Sequence, residues 1–181
     1  MLPFSRSRGA LILNVPGARA EMLNFRLGAS GQSLTISDSA MQHFSSRRQR
    51  KIWNRESGGQ LFAEIVGVDI VITTVTGPRR SDRRSRFSYR PNRRLEQIEI
   101  DRQFANGLHY VGDWHTHPGT SLRHSTGDLS AMRLIDGSGA CSIPHPISLI
   151  YSAKRDAIVA YCYEHDRLSP IGLSAITRIP V

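Results

Sequence analysis

His115 and His117, in the run Trp114-His115-Thr116-His117-Pro118, and Asp128 further on are residues whose types and spacing could hold a metal. In an extended segment, positions i and i+2 project to one side, so both imidazoles can face one ion while Thr116 faces away. Pro118 turns the chain, Ser125 begins a helix, and Asp128 on its first turn can bring a carboxylate oxygen to the same ion. Two neutral imidazoles and one carboxylate suit Zn²⁺ and leave roughly one positive charge on the bare site. Three protein ligands leave one tetrahedral position for water, the arrangement of catalytic zinc, and water bound there ionises near pH ~7. The chemistry implied is hydrolysis.

Such a centre needs a proton acceptor that is not itself a ligand. Glu56 is the choice: it precedes Gly58 and Gly59, which permit close backbone approach, and the strand after them can run beside the one ending at Trp114. Its expected role is general base toward water, then general acid toward the departing amine. Ser125 is expected to hydrogen-bond the developing oxyanion or the zinc-held water. Ser125-Thr126-Gly127-Asp128 also fits a capping box, a role compatible with catalysis. Asp113 competes for the acid role, but alternation points it away from Trp114 and makes the site hard for it to reach. His124 and His145 read as structural or solvated. HExxH, GxSxG and GxxxxGK[ST] are absent, and Cys141-Ser142-Ile143-Pro144 is not the Pro-Cys-x-x-Cys segment of a zinc deaminase.

The elements that must position these groups follow from periodicity and punctuation. Gly9 to Val15 and Ser33 to Ile36 read as strands. From Ser37 or Asp38, Ala40, Met41 and Phe44 recur at helical spacing before the basic run Arg47, Arg48, Arg50 and Lys51. Gln60 to Val75 predicts a hairpin broken at Gly67 to Asp69. Arg86 to Tyr89 suits a short strand, and Pro91 offers a helix start whose stripe Leu95, Ile98 and Phe104 is expected to face the core. Leu108 to Trp114 predicts the strand that delivers the histidines, Ser125 to about Ile135 a helix. Ile147 to Ser152 and Ala157 to Tyr163 predict two more strands joined by Lys154 to Asp156. Interleaved strands and helices, with more hairpin signals than crossovers, predict an α/β domain on a mixed, curved sheet.

At 181 residues, 39% apolar and 22% charged, the chain fits one soluble domain, residues 1 to 181, with one core. No window could span a bilayer, no signal peptide is recognisable, and a cytoplasmic protein is expected. Cys141 and Cys162 form no CxxC pair and no disulfide framework. The net charge of +9 is almost wholly arginine, Lys51 and Lys154 being the only lysines. Arg79 to Arg94 holds eight arginines against the single acid Asp82. An acidic protein partner or a solvated loop accounts for it better than nucleic acid, since only Phe87 and Tyr89 could stack on bases.

Glu56-Ser57-Gly58-Gly59, Gly112-Asp113-Trp114-His115-Thr116-His117-Pro118 and Ser125-Thr126-Gly127-Asp128 together resemble the JAMM (MPN, JAB) metalloprotease signature, over roughly Met41 to Tyr163. The resemblance implies a cytidine-deaminase-like α/β fold and a zinc-dependent isopeptidase or peptidase acting after the C-terminal glycine region of a ubiquitin-like protein. Arg47-Arg48-Gln49, Gly77-Pro78, Arg86-Phe87 and Trp114 look more narrowly like the small bacterial JAB enzymes. Those accompany E1- and E2-like proteins in antiviral conjugation operons of the CBASS and Bil types. Ala63 and Asp113 depart from frequent glycine and glutamate without touching the ligands. Processing of a sulfur-carrier-like protein and a non-catalytic basic nucleic-acid adaptor are the alternative readings.

Overall fold

Runs of β-branched and aromatic residues bounded by glycine and polar turns make strand the commonest regular element among the described residues. The computed structural model describes residues 21–27, 32–47, 53–152 and 157–178. Strands β1 (Glu21–Leu27), β2 (Gln32–Ile36), β3 (Gly58–Val66), β4 (Asp69–Val75), β7 (His109–His117), β8 (Ile147–Ser152), β9 (Ala157–Glu164), β10 (Arg167–Pro170) and β11 (Gly172–Arg178) form one sheet. Its order is β10-β9-β8-β7-β3-β4-β2-β1-β11. The pairs β2 with β4 and β7 with β8 are parallel and the others antiparallel, so the sheet is mixed as expected. Only Ile171 separates β10 from β11 in sequence, although these strands form opposite edges. The sheet must therefore curl until its edges approach each other. The strand expected at Gly9 to Val15, the basic run beyond Arg47 and the junction Lys154 to Asp156 lie outside the described residues.

Helices α1 (Asp38–Ser46), α2 (Arg93–Ala105) and α3 (Thr126–Ser138) complete the described fold. Ser37 caps α1, its hydroxyl accepting from the Ala40 amide, and Ala40, Met41 and Phe44 are buried. They join Leu61, Trp114, Leu149 and Tyr151 in one apolar cluster. Phe62, Tyr110, Ile150 and Tyr161 pack with Met132 and Ile135 of α3 in a second. Adjacent residues such as Leu61 and Phe62 fall in different clusters because successive strand residues face opposite sides.

A bulge in β7 sets the spacing of its functional half. Leu61 pairs with Gly112 but Phe62 with Tyr110, so one extra residue is accommodated. Gly112 has φ +141°, and a Cβ there would lie 1.9 Å from the Ile147 carbonyl oxygen, so only glycine lets β8 pair this closely. Beyond the bulge, Trp114 packs toward α1 while Asp113, His115 and His117 take the other face.

Two expectations about the 77–108 region are corrected. Leu95, Ile98 and Phe104 of α2 are 39%, 53% and 65% exposed and are not core; the helix instead buries Glu96. Part of the sheet face beneath α2 is polar, while Ile100 packs against the second apolar cluster. Glu96 accepts hydrogen bonds from buried Gln60 at 2.9 Å and from Arg93 at 2.6 Å. The short strand placed at Arg86 to Tyr89 is displaced: β5 (Arg83–Arg84) pairs with β6 (Tyr89–Arg90) in a separate two-stranded ribbon. Arg86 and Phe87 lie in its turn, closed by the Ser85 amide on the Ser88 carbonyl at 2.9 Å and by their two hydroxyls at 2.7 Å. Among the described residues, no helix is long and apolar enough to cross a membrane.

Candidate metal centre

The last residues of β7 and the first turn of α3 meet at one point. Nε2 of His115 and Nε2 of His117 are 3.0 Å apart. Asp128 places Oδ1 3.2 Å from the first and Oδ2 3.5 Å from the second. Tetrahedral zinc with bonds of about 2.0 to 2.1 Å separates its ligand atoms by about 3.3 Å. The three donors are thus already spaced for such an ion, and their side chains are only 11%, 13% and 17% exposed. They are the only group of three or more His, Cys, Asp or Glu donors gathered this closely among the described residues.

The orientation of Asp128 comes from the helix cap. Ser125 Oγ accepts from the Asp128 amide at 3.2 Å, and the Ser125 amide donates to Asp128 Oδ2 at 2.5 Å, a complete capping box. The helix cap and the candidate metal group therefore share one carboxylate. Burial alone would raise the pKa of Asp128, but hydrogen bonding with His115 and His117, the proximity of His115 and the Ser125 amide hold it well below the usual carboxylate range. An anion fixed beside two imidazoles is the donor set that a divalent cation needs.

Glu56 arrives from the neighbouring strand. Gly58 pairs with His115 and Gly59 with Trp114. Continuing this antiparallel register by two residues puts Glu56 opposite His117. Ser57 locks the alignment, its carbonyl accepting from the Thr116 amide at 2.8 Å and its amide donating to Thr116 Oγ1 at 3.0 Å. Glu56 is 6% exposed. Burial pushes its carboxyl up to about 7, with His117 pulling it down and Asp128 adding to the rise. A carboxylate poised there can accept a proton and return it near neutrality.

The loop from Pro118 to His124 is pinned by β8 and β9. Ser152 Oγ donates to the Gly119 carbonyl at 2.7 Å, and the buried Tyr161 hydroxyl to the Leu122 carbonyl at 2.8 Å. His124 stands edge-on to the Tyr161 ring with centroids 5.3 Å apart, a packing role. His145 lies elsewhere, 3.9 Å from the Glu164 carboxylate. Asp113 does point away from Trp114. It nevertheless shares the histidines' face, about 7 Å deeper by strand rise, where it accepts from Tyr110 Oη at 2.9 Å. Burial and the nearby Glu96 carboxylate raise its pKa, and it takes no part in the metal group.

Three contributors escaped the sequence reading. Strand alternation marks Thr116 only as the residue facing away, yet its hydroxyl holds Ser57. Arg84 was one of eight arginines, yet it bonds the segment carrying Glu56. Asp82 organises the arginine-rich loop, accepting from the Arg79 amide at 2.6 Å, the Asn92 amide at 2.9 Å and the Tyr89 hydroxyl at 3.0 Å. A lone acid among arginines was the available signal for the last; the other two had none.

Known proteins resemble this chain over part of its length. A curated protein of Escherichia coli named CD-NTase/cGAS isopeptidase is 33% identical over 88 residues, 47% of this chain and 56% of that protein. The probable metalloprotease y4qB of Sinorhizobium fredii is 38% identical over 71 residues, 37% of this chain and 43% of that one. The chain thus spans about half the length of these curated relatives. The solution structure of protein DSY2949 from Desulfitobacterium hafniense is similar in fold, with a TM-score of 0.58, 19% identity, and coverage of 76% of this chain and 88% of that one. Residues 38–161, which take in Glu56, His115, His117, Ser125 and Asp128, match the family described as prokaryotic homologs of the JAB domain, and the chain belongs to that family.

Proposed function

We propose that this chain is a JAMM-type zinc isopeptidase or peptidase that cuts after the C-terminal glycine region of a ubiquitin-like protein or its conjugates. The setting proposed is a bacterial antiviral conjugation pathway with E1- and E2-like partners, and the 181 residues form one such domain. The observation carrying this reading is the convergence of His115, His117 and Asp128 at separations suited to zinc, with Glu56 aligned on the adjacent strand. Relatives named isopeptidase and metalloprotease support amide hydrolysis as the reaction class.

Zinc at this centre would supply Lewis acidity toward a scissile carbonyl and toward water. Everything else is work for the chain. Glu56 takes the proton of the attacking water and delivers it to the departing amine, its raised pKa matching both steps. The Ser125 oxygen already accepts from the Asp128 amide, and its own hydrogen would serve the oxyanion or the zinc-held water. The net charge of +9 and the arginine-rich segment Arg79 to Arg94 favour an acidic substrate or partner surface.

The test is protein stripped with chelator and reloaded with zinc, offered C-terminally extended ubiquitin-like precursors and lysine-linked conjugates. Cleavage should require the metal, and Glu56→Gln should lose at least about 100-fold in turnover while retaining zinc. Absence of metal-dependent cleavage, with Glu56→Gln and the parent indistinguishable, would overturn the reading.

A further inference from the structure

Arg84 occupies a strand of two residues in an arginine-rich ribbon, a place where a guanidinium ordinarily extends into water. Here it turns toward the segment that carries the base. Nε donates to the Glu56 carbonyl at 2.5 Å, and one terminal nitrogen donates to Ser57 Oγ at 2.9 Å and to the Arg55 carbonyl at 3.3 Å. Ser85, its neighbour, accepts the Glu56 amide at 2.7 Å. Both main-chain groups of Glu56 are thus held by two consecutive residues of the ribbon. Thr116 grips Ser57 from the opposite side.

We propose that Arg84 is a positioning residue for Glu56, its guanidinium fixing the peptide segment from which the base reaches the centre. The inference rests on the reading of Glu56 as the base. Three acceptors on three consecutive residues match the planar, forked donor set of arginine, and a lysine ammonium offers only a compact point charge there. The role also explains why the ribbon folds back on the domain beside the centre: β6 lays Tyr89 against Gly58, where a Cβ would come within 2.4 Å of the ring. The ribbon and the catalytic segment are consequently one packed unit.

Arg84→Ala and Arg84→Lys test this, with Glu56→Gln as control and three readouts: backbone hydrogen exchange of residues 53 to 58, zinc content, and steady-state kinetics on a precursor the parent cleaves. In Arg84→Ala, the Glu56 amide should exchange faster and kcat should fall about 100-fold, as expected for a misplaced catalytic group. KM should stay within about twofold and zinc content should be unchanged. Arg84→Lys should recover part of the loss, and added guanidinium should raise the activity of Arg84→Ala but not of Glu56→Gln. Parent-like exchange and turnover in Arg84→Ala, with Glu56→Gln inactive, would overturn the role of Arg84 and leave the base assignment standing. An active Glu56→Gln would instead remove the base assignment, and exchange alone would then decide whether Arg84 holds the segment. Should Arg84→Ala fail to fold, a folded Arg84→Lys with parent kcat and parent exchange would refute the proposal.

Discussion

Ser57 and Thr116 are joined by two hydrogen bonds, the Thr116 amide on the Ser57 carbonyl at 2.8 Å and the Ser57 amide on Thr116 Oγ1 at 3.0 Å. The residue after Glu56, the proposed base, is therefore tied to the residue between the two histidines. Thr116→Val keeps the shape but leaves the buried Ser57 amide without its acceptor, a cost of about 1 to 3 kcal/mol. We expect a lower Tm and a kcat reduced about tenfold or more with zinc retained, while Thr116→Ser restores both. Thermal unfolding, metal analysis and kinetics on the three proteins check this.

The raised pKa of Glu56 fixes the sign of two pH effects. As a base it must be ionised, so kcat/KM should rise with pH through a limb at or below about 7, a bound cation moving the limb toward acid. For stability the direction reverses. The folded state holds the proton more tightly than the unfolded chain does, so this group favours folding below its ordinary value of 4.5 and loses that contribution as pH rises toward 7. Metal-free Glu56→Gln should lack that decline, so its stability advantage over the parent should be larger at pH ~8 than at pH ~5. Denaturant titrations of the metal-free pair at those two pH values measure the difference.

Ser125 caps α3 and is the proposed oxyanion donor, two roles that substitution can separate. Glycine at an N-cap costs only a few tenths of a kcal/mol and alanine about 1 kcal/mol. Neither can donate a hydrogen bond from its side chain. Ser125→Gly should therefore unfold near the parent temperature and still lose roughly 100-fold in kcat, as removal of an oxyanion donor does. Equal loss of stability and activity along the series Gly, Ala would show that the hydroxyl serves only the helix.

On α2 the usual order of sensitivity should be inverted. Ile98, 53% exposed, should accept serine within about 0.5 kcal/mol, whereas Glu96→Ala should cost more than about 1 kcal/mol by stranding the buried Gln60 amide. Urea melts of both variants decide it, and a costlier Ile98→Ser would restore the apolar stripe to the core.

That inversion marks where the sequence stops being legible. His115, His117 and Asp128 could be brought together on paper because strand alternation and a helix start are local geometry, and the structure places the three donors as that geometry requires. Glu56 was reachable through the glycines after it, which signal close approach of chains. The α2 stripe misleads because periodicity counts apolar residues without knowing what the sheet offers beneath them; Gln60 and Asp113, far away in sequence, make part of that surface polar. Strands β10 and β11 are hard to read from the sequence for a related reason. Pro170 and the short run around it carry little strand signal, and it is pairing at the edges of a curled sheet that makes them extended. Arg84 and Thr116 look ordinary until the partner segment is in place.

Asp82 gives the arginine-rich loop an order that salt should not dissolve. The bonds it accepts come from two peptide amides and a phenol, and at 8% exposure it sits where mobile ions screen weakly. Any attraction that the surrounding guanidinium groups exert on an acidic partner works across solvent and fades within a Debye length. Raising the ionic strength would thus loosen any such partner while leaving the loop, and the Glu56 segment it supports, in place.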